Sequence, residues 1–375
     1  MRAVDAVVAA LAAHPGEQVS WIVGEPCFGP PPELADAFAR AADSSSFGYP
    51  PHAGLPELRD VLAVRFEQED LSIAPDQITI TSGAKCGLFA LFAALLEPGD
   101  EVIHPRPCYP AYPAMAVRLG ARPVPVAERD GSFSGWAADI AHHINPRTRA
   151  VVLASPSNPT GATLDSVEAN ALVELCSAHG IRLIIDEAYT DFRYTADHHA
   201  LPADLDPDLS TVVRVRSASK SWALCGWRLG WITADVPLSA RIASTHSSLF
   251  NPASGPAQAA LCALPEVSAD FLEKARSMVA GRMDELCAAL AGAGFPFTKP
   301  EGGFYLWLKV KDLNPSGTIS TAEWSAEVAR RSGVGLWPGD DFGGAGHVRI
   351  SVTAPSDAIW RPAVEALTEA LTKSG

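Results

Sequence analysis

Residues 211–230 read TVVRVRSASKSWALCGWRLG and contain a single lysine, Lys220. The apolar run 211–215 predicts a strand, and Lys220 follows it beside Ser217 and Ser219, with Arg228 a short loop later. A neighbouring positive charge and the loss of water both favour a neutral amine, which is the nucleophile that forms Schiff bases with carbonyl compounds. Arginine and hydroxyl groups bind phosphate. The stretch therefore predicts a site for a carbonyl compound that carries a phosphate.

Pyridoxal 5'-phosphate is such a compound, and its usual protein partners are a Schiff-base lysine and a carboxylate at the ring nitrogen. Residues 181–191, IRLIIDEAYTD, predict a buried strand that ends in Asp186, with Tyr189 three residues further on. Asp186 would pair with the pyridine nitrogen, and Tyr189 would donate to the 3-oxygen of the ring. Taken alone, a strand-end aspartate would more often cap a helix or lie in a loop.

Two further strand ends carry polar or small residues. The predicted strand 150–154 is followed by SPSNPTG, in which Asn158 offers both a donor and an acceptor. The predicted strand 77–81 runs into Ser82, Gly83, Ala84 and Lys85 and then into an apolar helix over 86–96. Small residues at such a turn let the helix N-terminus approach a phosphate. Singly, these would be a turn asparagine and an ordinary strand-to-helix turn.

The combination resembles the class I/II pyridoxal-phosphate aminotransferases of fold type I, the aspartate aminotransferase superfamily. The resemblance runs from Gly24-Glu25-Pro26 to His347-Val348-Arg349-Ile350-Ser351. It implies that an amino group moves between an amino acid and a 2-oxo acid. It also implies a homodimer, in which Tyr49 of Gly48-Tyr49-Pro50 reaches the phosphate bound to the neighbouring subunit.

The resemblance assigns roles residue by residue. Catalysis falls to Lys220 as the Schiff-base lysine, to Asp186 at the ring nitrogen and to Tyr189 at the 3-oxygen. Substrate binding falls to Gly24, Asn158 and Arg349, the last gripping the α-carboxylate as a bidentate fork. The remaining cofactor contacts are Asn158 at the 3-oxygen, Tyr109 stacked on the ring, and a phosphate cup of Gly83, Ala84, Lys85, Ser217, Ser219 and Arg228. No metal ligand is implied.

The sequence departs from the family pattern at two positions near the site. Cys27 stands where many relatives have an aspartate after Gly-Glu-Pro, and Cys225 stands where a threonine commonly precedes Gly-Trp-Arg. No arginine matches a position for a second substrate carboxylate. A neutral or hydrophobic amino donor is therefore expected over aspartate or glutamate.

Other functions share the same cofactor residues. Elimination, cyclisation and related chemistry also begin with loss of the α-proton, so these residues do not separate them from transamination. A non-catalytic ligand sensor of this fold would carry a basic helix-turn-helix segment, for which the chain shows neither spare length nor positive charge.

The alternation of strands and helices predicts an α/β fold with a mostly parallel sheet and helices on both faces. A helix over 165–179 is expected, with Asp165 and Glu168 as a capping box and Gly180 at its end. From about residue 270 the pattern changes to long helices and short strands, which predicts a second, smaller α/β domain. The expected division is 36–268 for the large domain, and 1–35 with 269–375 for the small one.

Seven strands are predicted for the large sheet, over 77–81, 101–104, 122–126, 150–154, 181–185, 211–215 and 229–233. In the small domain, helices are predicted over 269–291 and 321–331, and strands over 304–310 and 348–352.

Composition excludes several classes of protein. The chain has 375 residues, of which 47% are hydrophobic and 19% charged, so it can bury a substantial core. A net charge of −14 argues against nucleic acid and anionic membranes as partners. Seven scattered cysteines without a Cys-x-x-Cys pair favour reduced thiols in the cytoplasm. The short apolar run 7–13 is interpreted as a helix of the small domain, since Asp5 interrupts a signal-peptide pattern.

Overall fold

The computed structural model describes residues 2–43, 48–129, 131–194, 206–310 and 320–372, and it shows an α/β protein with a large and a small sheet region. The strands are β1 (Val19–Ser20), β2 (Ile78–Thr81), β3 (Glu101–Arg106), β4 (Arg122–Ala127), β5 (Thr148–Ala154), β6 (Arg182–Asp186), β7 (Val212–Ser217), β8 (Gly230–Thr233), β9 (Tyr305–Lys309), β10 (Val334–Gly335), β11 (Trp337–Pro338) and β12 (His347–Ser351). The α-helices are α1 (Ala3–Ala12), α2 (Pro32–Asp43), α3 (Pro56–Glu67), α4 (Ala84–Leu95), α5 (Ala111–Arg118), α6 (Trp136–Ala141), α7 (Ser166–His179), α8 (Ala218–Ser221), α9 (Val236–Phe250), α10 (Gly255–Leu261), α11 (Phe271–Gly292), α12 (Thr321–Ser332) and α13 (Asp357–Thr372).

The large sheet contains seven strands in the order β2-β8-β7-β6-β5-β3-β4. Strand β8 runs antiparallel to both of its neighbours, and the other pairings are parallel. All seven predicted strands are present, with ends that differ from the prediction by at most two residues. The expected mostly parallel, seven-stranded sheet is therefore confirmed.

Both faces of the central strand β5 are buried, which explains its apolar run. In β5, Val152 packs in a core that includes residues of α4, α5 and α9, while its neighbours Val151 and Leu153 pack in a core that includes residues of α6 and α7. Side chains alternate between the faces of a strand, so a strand covered on both sides needs an uninterrupted apolar run.

Helix α7 begins and ends where the sequence predicts, but its capping box is only half formed. The Asp165 side chain accepts a hydrogen bond from the Glu168 amide at 2.8 Å, and Gly180 adopts the left-handed conformation after the last turn. The buried Glu168 carboxylate does not return to Asp165. It accepts from the Gly135 and Ala137 amides at 2.8 and 2.5 Å. These amides lie at the N-terminus of α6, where the first amides of a helix have no carbonyl partner within the helix.

The small region contains β9, β11 and β12 in an antiparallel sheet of order β11-β12-β9, together with the parallel pair β1 and β10. Its predicted strands and long helices are present as β9, β12, α11 and α12. The N-terminal segment joins it as expected, because β1 pairs with β10 and α1 contacts α12. Trp21 from this segment lies 4.9 Å from Trp360, ring centre to ring centre. The residue bounds 36–268, 1–35 and 269–375 stay a prediction.

Two further features bear on the classes of protein considered above. Within the described ranges, no helix combines the length and the apolar character that a membrane crossing requires. All seven cysteines lie in those ranges, and each of them is free.

The first residue of β8, Gly230, must be a glycine because the backbone of two neighbouring segments lies too close for a side chain. A Cβ atom at this position would lie 2.5 Å from the Ala84 nitrogen and 2.8 Å from the Arg216 carbonyl oxygen. We expect Gly230→Ala to lower the free energy of unfolding by about 1–3 kcal/mol, as overpacking usually does. Urea denaturation measures it. The control is Gly281→Ala in α11, where nothing lies within 4 Å of the added atom and a gain of about 0.5–1 kcal/mol is expected. Equal effects at both positions would contradict the steric argument.

Candidate active site

A cavity of about 490 Å³ lies where the strand ends of the large sheet face the small region. Ala154, Asp186 and Ser217, the last residues of β5, β6 and β7, line it from one side. Tyr305 and Arg349 of the small sheet line it from the other. Ligands of open α/β sheets bind at the carboxyl ends of the strands, so this cavity is the candidate active site.

The structure brings most of the predicted site residues together in this cavity. Those lining it are Gly24, Ala84, Lys85, Tyr109, Asn158, Asp186, Tyr189, Ser217, Ser219, Lys220, Arg228 and Arg349. Gly83 adjoins the cavity at the start of α4, whereas Tyr49 lies outside it with 83% of its surface exposed. The lining residues that the sequence did not assign to the site are Val23, Glu25, Leu88, Tyr112, Ala154, Ala188, Cys225, Tyr305 and Trp337.

Lys220 extends from the single turn α8 into the cavity. The Ser217 side chain caps this turn by accepting a hydrogen bond from the Ser219 amide at 3.1 Å. The Lys220 Nζ donates to the Gly24 carbonyl oxygen at 2.5 Å and lies 3.9 Å from the Cys225 Sγ. The amine is therefore held at the junction of the large sheet and the N-terminal segment.

The start of α4 and Arg228 together form an anion-binding corner. Gly83 precedes α4 with a φ of 85°, and a Cβ atom on it would lie 2.5 Å from the Arg228 Nη2. Arg228 itself takes the left-handed conformation, and its Nη1 donates to the Cys225 carbonyl at 2.8 Å. A helix N-terminus offers unpaired amides and a partial positive charge. With the Ser217 and Ser219 hydroxyls alongside, this corner suits a phosphate.

Asp186 is a buried carboxyl whose hydrogen bonds only partly offset its loss of water. Its Oδ2 accepts from the Tyr112 hydroxyl at 2.9 Å, and its Oδ1 accepts from the Ala188 amide at 3.1 Å. Burial raises the pKa of Asp186 to about 6, although these two hydrogen bonds act to lower it. A cationic group in the cavity would favour the ionised form, which is what a protonated ring nitrogen supplies.

Tyr112 is a site residue that the sequence reasoning missed. It is fully buried on α5, three residues after the predicted Tyr109, with the two ring centres 5.6 Å apart. Burial and the neighbouring Asp186 raise its pKa well above the ordinary value, so it stays a hydrogen-bond donor. A tyrosine one helical turn after Tyr109 was the available signal, but nothing local links it to a carboxylate 74 positions away.

Arg349 is a buried cation with no carboxylate partner among the residues that the structure describes. Its Nη1 donates to the Asn158 Oδ1 at 2.8 Å and its Nη2 to the Ile22 carbonyl oxygen. The guanidinium lies 3.9 Å from the ring centre of Tyr305 and 4.6 Å from that of Trp337. Burial lowers its pKa, and its Nε has no hydrogen-bond partner in the described part of the chain. Such a group suits a carboxylate brought by a ligand.

Gly24 lets the N-terminal segment cross the face of Tyr305. A Cβ atom on Gly24 would lie 2.0 Å from the Tyr305 hydroxyl oxygen, which in turn lies 2.6 Å from the Tyr189 hydroxyl oxygen. Any side chain at Gly24 would push this pair apart. The glycine that the sequence assigned to substrate binding thus has a steric role here as well.

The geometry can be compared with known proteins. The family model for class I and II aminotransferases matches residues 16–367. The chain belongs to this family. It is therefore an enzyme that transfers amino groups, as the resemblance predicted.

Individual relatives agree with this membership. The chain is 34% identical to the aspartate/prephenate aminotransferase of Thermus thermophilus, covering 99% of this chain and 96% of that one. It is 32% identical to the arginine–pyruvate transaminase of Pseudomonas aeruginosa, covering 92% and 88%. A solved Thermus thermophilus aspartate aminotransferase mutant superposes with a TM-score of 0.91 at 32% identity, covering 99% and 97%. The expected fold is confirmed by this superposition.

Asp186 makes the stability of the cofactor-free protein depend on pH. Its pKa is about 6 in the folded protein against an ordinary value of 3.8, so the folded state holds this proton more tightly. The free energy of unfolding therefore falls as pH rises from about 4 to 6. We expect Asp186→Asn to relieve this loss, with a gain over wild type of little at pH 4 and about 3 kcal/mol at pH 8. Urea denaturation at both values measures it. A gain independent of pH would indicate packing and not charge.

Proposed function

We propose that this aminotransferase carries pyridoxal 5'-phosphate on Lys220 and moves the amino group of an amino acid to a 2-oxo acid. The observation that carries the proposal is that one cavity contains the Lys220 amine, the buried Asp186 carboxyl and the anion-binding corner of α4 and Arg228. An amine, a cation-seeking carboxyl and a phosphate corner are the three contacts that this cofactor requires of a protein.

The remaining cavity residues fit the same group. Tyr109 offers an aromatic face beside Lys85, whose Nζ lies 5.6 Å from the ring centre. Asn158 and Tyr189 would hold the 3-oxygen, while Ala84, Lys85, Ser217, Ser219 and Arg228, with Gly83, would hold the phosphate. When bound, the pyridoxal ring supplies an electron sink for the electrons left at Cα when its proton departs.

The protein's own groups position and move the proton. Arg349 would bind the α-carboxylate through two parallel hydrogen bonds, with Asn158 fixing the guanidinium from behind. The Lys220 Nζ lies near Gly24. It would take up the proton from the substrate Cα and deliver it to C4' of the cofactor. A positive ring nitrogen would favour the ionised form of Asp186. The Asp186 charge would in turn keep that nitrogen protonated. Orientation by several fixed groups in one cavity lowers the barrier by reducing the entropy lost at the transition state.

The side-chain part of the cavity favours a neutral or hydrophobic donor. The cations lining the cavity, in the described residues, are Lys85, Lys220, Arg228 and Arg349, and each is assigned above to the cofactor or to the α-carboxylate. Glu25 also lines the cavity and opposes a second substrate carboxylate, while Val23 and Trp337 add apolar surface. The names of the relatives point to different donors, so the preference rests on these residues.

Chemical trapping on Lys220 tests the cofactor. Borohydride reduction of the cofactor-loaded protein, followed by peptide mass mapping, should place the adduct on Lys220. Lys220→Ala should abolish turnover, because the same amine moves the proton. Lys85→Ala is the control, since Lys85 lines the same cavity and its loss should leave the adduct on Lys220. An adduct on any other residue would overturn the assignment.

Product balance tests the reaction. With leucine or phenylalanine as donor and pyruvate as acceptor, we expect equal amounts of the new 2-oxo acid and of alanine, without ammonia. Arg349→Ala should raise the donor KM by roughly 30-fold or more, because losing one member of a buried charge pair costs about 2–5 kcal/mol.

Three results would contradict parts of this proposal. Ammonia release in place of alanine would indicate elimination or cyclisation. A higher kcat/KM for aspartate than for leucine and phenylalanine would refute only the pocket preference. An unchanged donor KM in Arg349→Ala would refute the carboxylate assignment.

We propose further that the enzyme is a homodimer that works in the cytoplasm. Tyr49 exposes 83% of its surface, and Leu249 and Phe250 at the end of α9 expose 49% and 38%. Such side chains would be covered in a subunit interface if they form one contiguous patch. By the family resemblance, Tyr49 would reach the phosphate bound to the partner subunit. The seven free cysteines support a cytoplasmic location.

Complementation tests the shared site. Lys220→Ala and Tyr49→Phe proteins, mixed under conditions that exchange subunits, should form heterodimers in which one site carries both changes and the other carries neither. Activity should therefore exceed that of either parent. Exchange is verified by tagging one parent and isolating mixed dimers. Mixed dimers without recovered activity would show that Tyr49 serves its own subunit or none.

A further inference from the structure

A second cavity, of about 590 Å³, lies between the large and small regions and shares no residue with the candidate active site. On the large-sheet side it is lined by Glu128, just after β4, and by Thr160. On the small-region side it is lined by Phe297, Trp307 and His347. Its size is typical of pockets that bind small molecules.

Glu128 is a buried carboxyl group without a cationic partner among the described residues. The residue is 9% exposed, and neither carboxylate oxygen has a hydrogen-bond partner among the residues that the structure describes. Burial raises its pKa to about 8, while the nearby Thr160 hydroxyl acts to lower it. A buried polar group that lacks a hydrogen bond costs free energy. A ligand that donates to Glu128 would remove that cost.

The neighbouring charged groups are already committed or do not face Glu128. Arg129 binds Asp139 through two hydrogen bonds of 2.6 and 3.0 Å, and the Arg106 Nε donates to the Gly343 carbonyl at 2.9 Å. Lys309 also lines the cavity, as an exposed side chain on the small-region side, and its charge acts on the pKa of His347 but not on that of Glu128.

Three further titratable groups near this cavity, Cys108, His104 and His347, have pKa values that keep them uncharged near neutral pH. Burial, the larger cause, raises the pKa of Cys108 to about 12, and Glu128 adds to this rise when it is ionised. Burial lowers the pKa of His104 and of His347. Among the described residues, no cation acts on the pKa of Glu128, and none forms an ion pair with it.

The opposite wall offers a flat apolar surface. The Trp307 and His347 rings are stacked, with centres 5.1 Å apart and planes inclined by 5°. Phe297 lies half-buried beside them in the same wall. Aromatic faces favour both apolar groups and cations.

We propose that this second cavity binds a small organic cation, an ammonium or amidinium group on an apolar or aromatic body, with its charge paired to Glu128. The aromatic wall would hold the body, and the Thr160 hydroxyl would accept a further hydrogen bond. Because the cavity is built from both regions, the ligand would bridge them and stabilise their arrangement.

Binding of this kind must release a proton. Glu128 is mostly protonated below pH 8 and becomes ionised when a cation pairs with it. The association constant should therefore rise with pH, approaching tenfold per pH unit well below 8 and levelling off above it.

Benzamidine and its neutral analogue benzamide test the proposal by isothermal titration of the full-length protein at pH 6, 7 and 8. We expect benzamidine to bind with release of about one proton at pH 6 and 7. It should bind roughly tenfold or more tightly than benzamide at pH 8, as a charged hydrogen bond requires. Glu128→Gln should remove this preference, whereas Glu97→Gln, an exposed glutamate outside both cavities, should keep it.

Several results would overturn the proposal. These are no binding of benzamidine at pH 8, equal affinity for the two compounds, an affinity independent of pH, or an unchanged preference in Glu128→Gln. The comparison of the two compounds and the pH series use the wild-type protein, so they decide the matter even where Glu128→Gln folds poorly.

Discussion

A buried carboxylate must have a cationic partner or lose its charge. Asp186, the last residue of β6, and Glu187, the next residue, are both buried carboxyl groups, and they differ in their partners. Glu187 accepts from Arg214 at 2.5 Å and from Arg216 at 2.7 Å. Burial alone would raise the pKa of Glu187, but these two guanidinium groups lower it below the ordinary value. Asp186, on the opposite face, has only neutral donors. Successive residues of a strand face opposite sides, so one carboxylate stabilises the sheet and the other stays available to a ligand.

Arg349 in the small region is a buried cation, and a buried cation likewise needs a partner of opposite charge. Arg349 is enclosed by aromatic rings and donates hydrogen bonds only to neutral acceptors, the Asn158 side chain and the Ile22 carbonyl. Removing a buried charge from water without an opposite charge is costly, so its neutral partners offset that cost only in part. The cavity therefore has an uncompensated cation on one side and an uncompensated carboxyl on the other. The amino-acid substrate and the cationic ring proposed above would supply the missing partners of both groups.

The N-terminal segment joins the two regions at the active site. The Ile22 carbonyl accepts from Arg349, and the Val23 carbonyl accepts from Thr353 at 3.2 Å. The Gly24 carbonyl accepts from Lys220 on the large-sheet side. Three consecutive carbonyls thus bind the small region and Lys220, so displacement of this segment would move both the Arg349 guanidinium and the Lys220 amine.

The sequence by itself determined the strands, the fold class and most of the residues that line the cavity. Each of these depends on local order: apolar runs of the right length, and polar residues at the positions where those runs end. Only the tertiary structure decided that Tyr112 donates to Asp186, that Tyr305 and Trp337 enclose Arg349, and that Glu168 caps α6 in place of α7. These contacts join residues far apart in the chain, whose pairing follows from how the helices and sheets pack and leaves no mark on the neighbouring sequence.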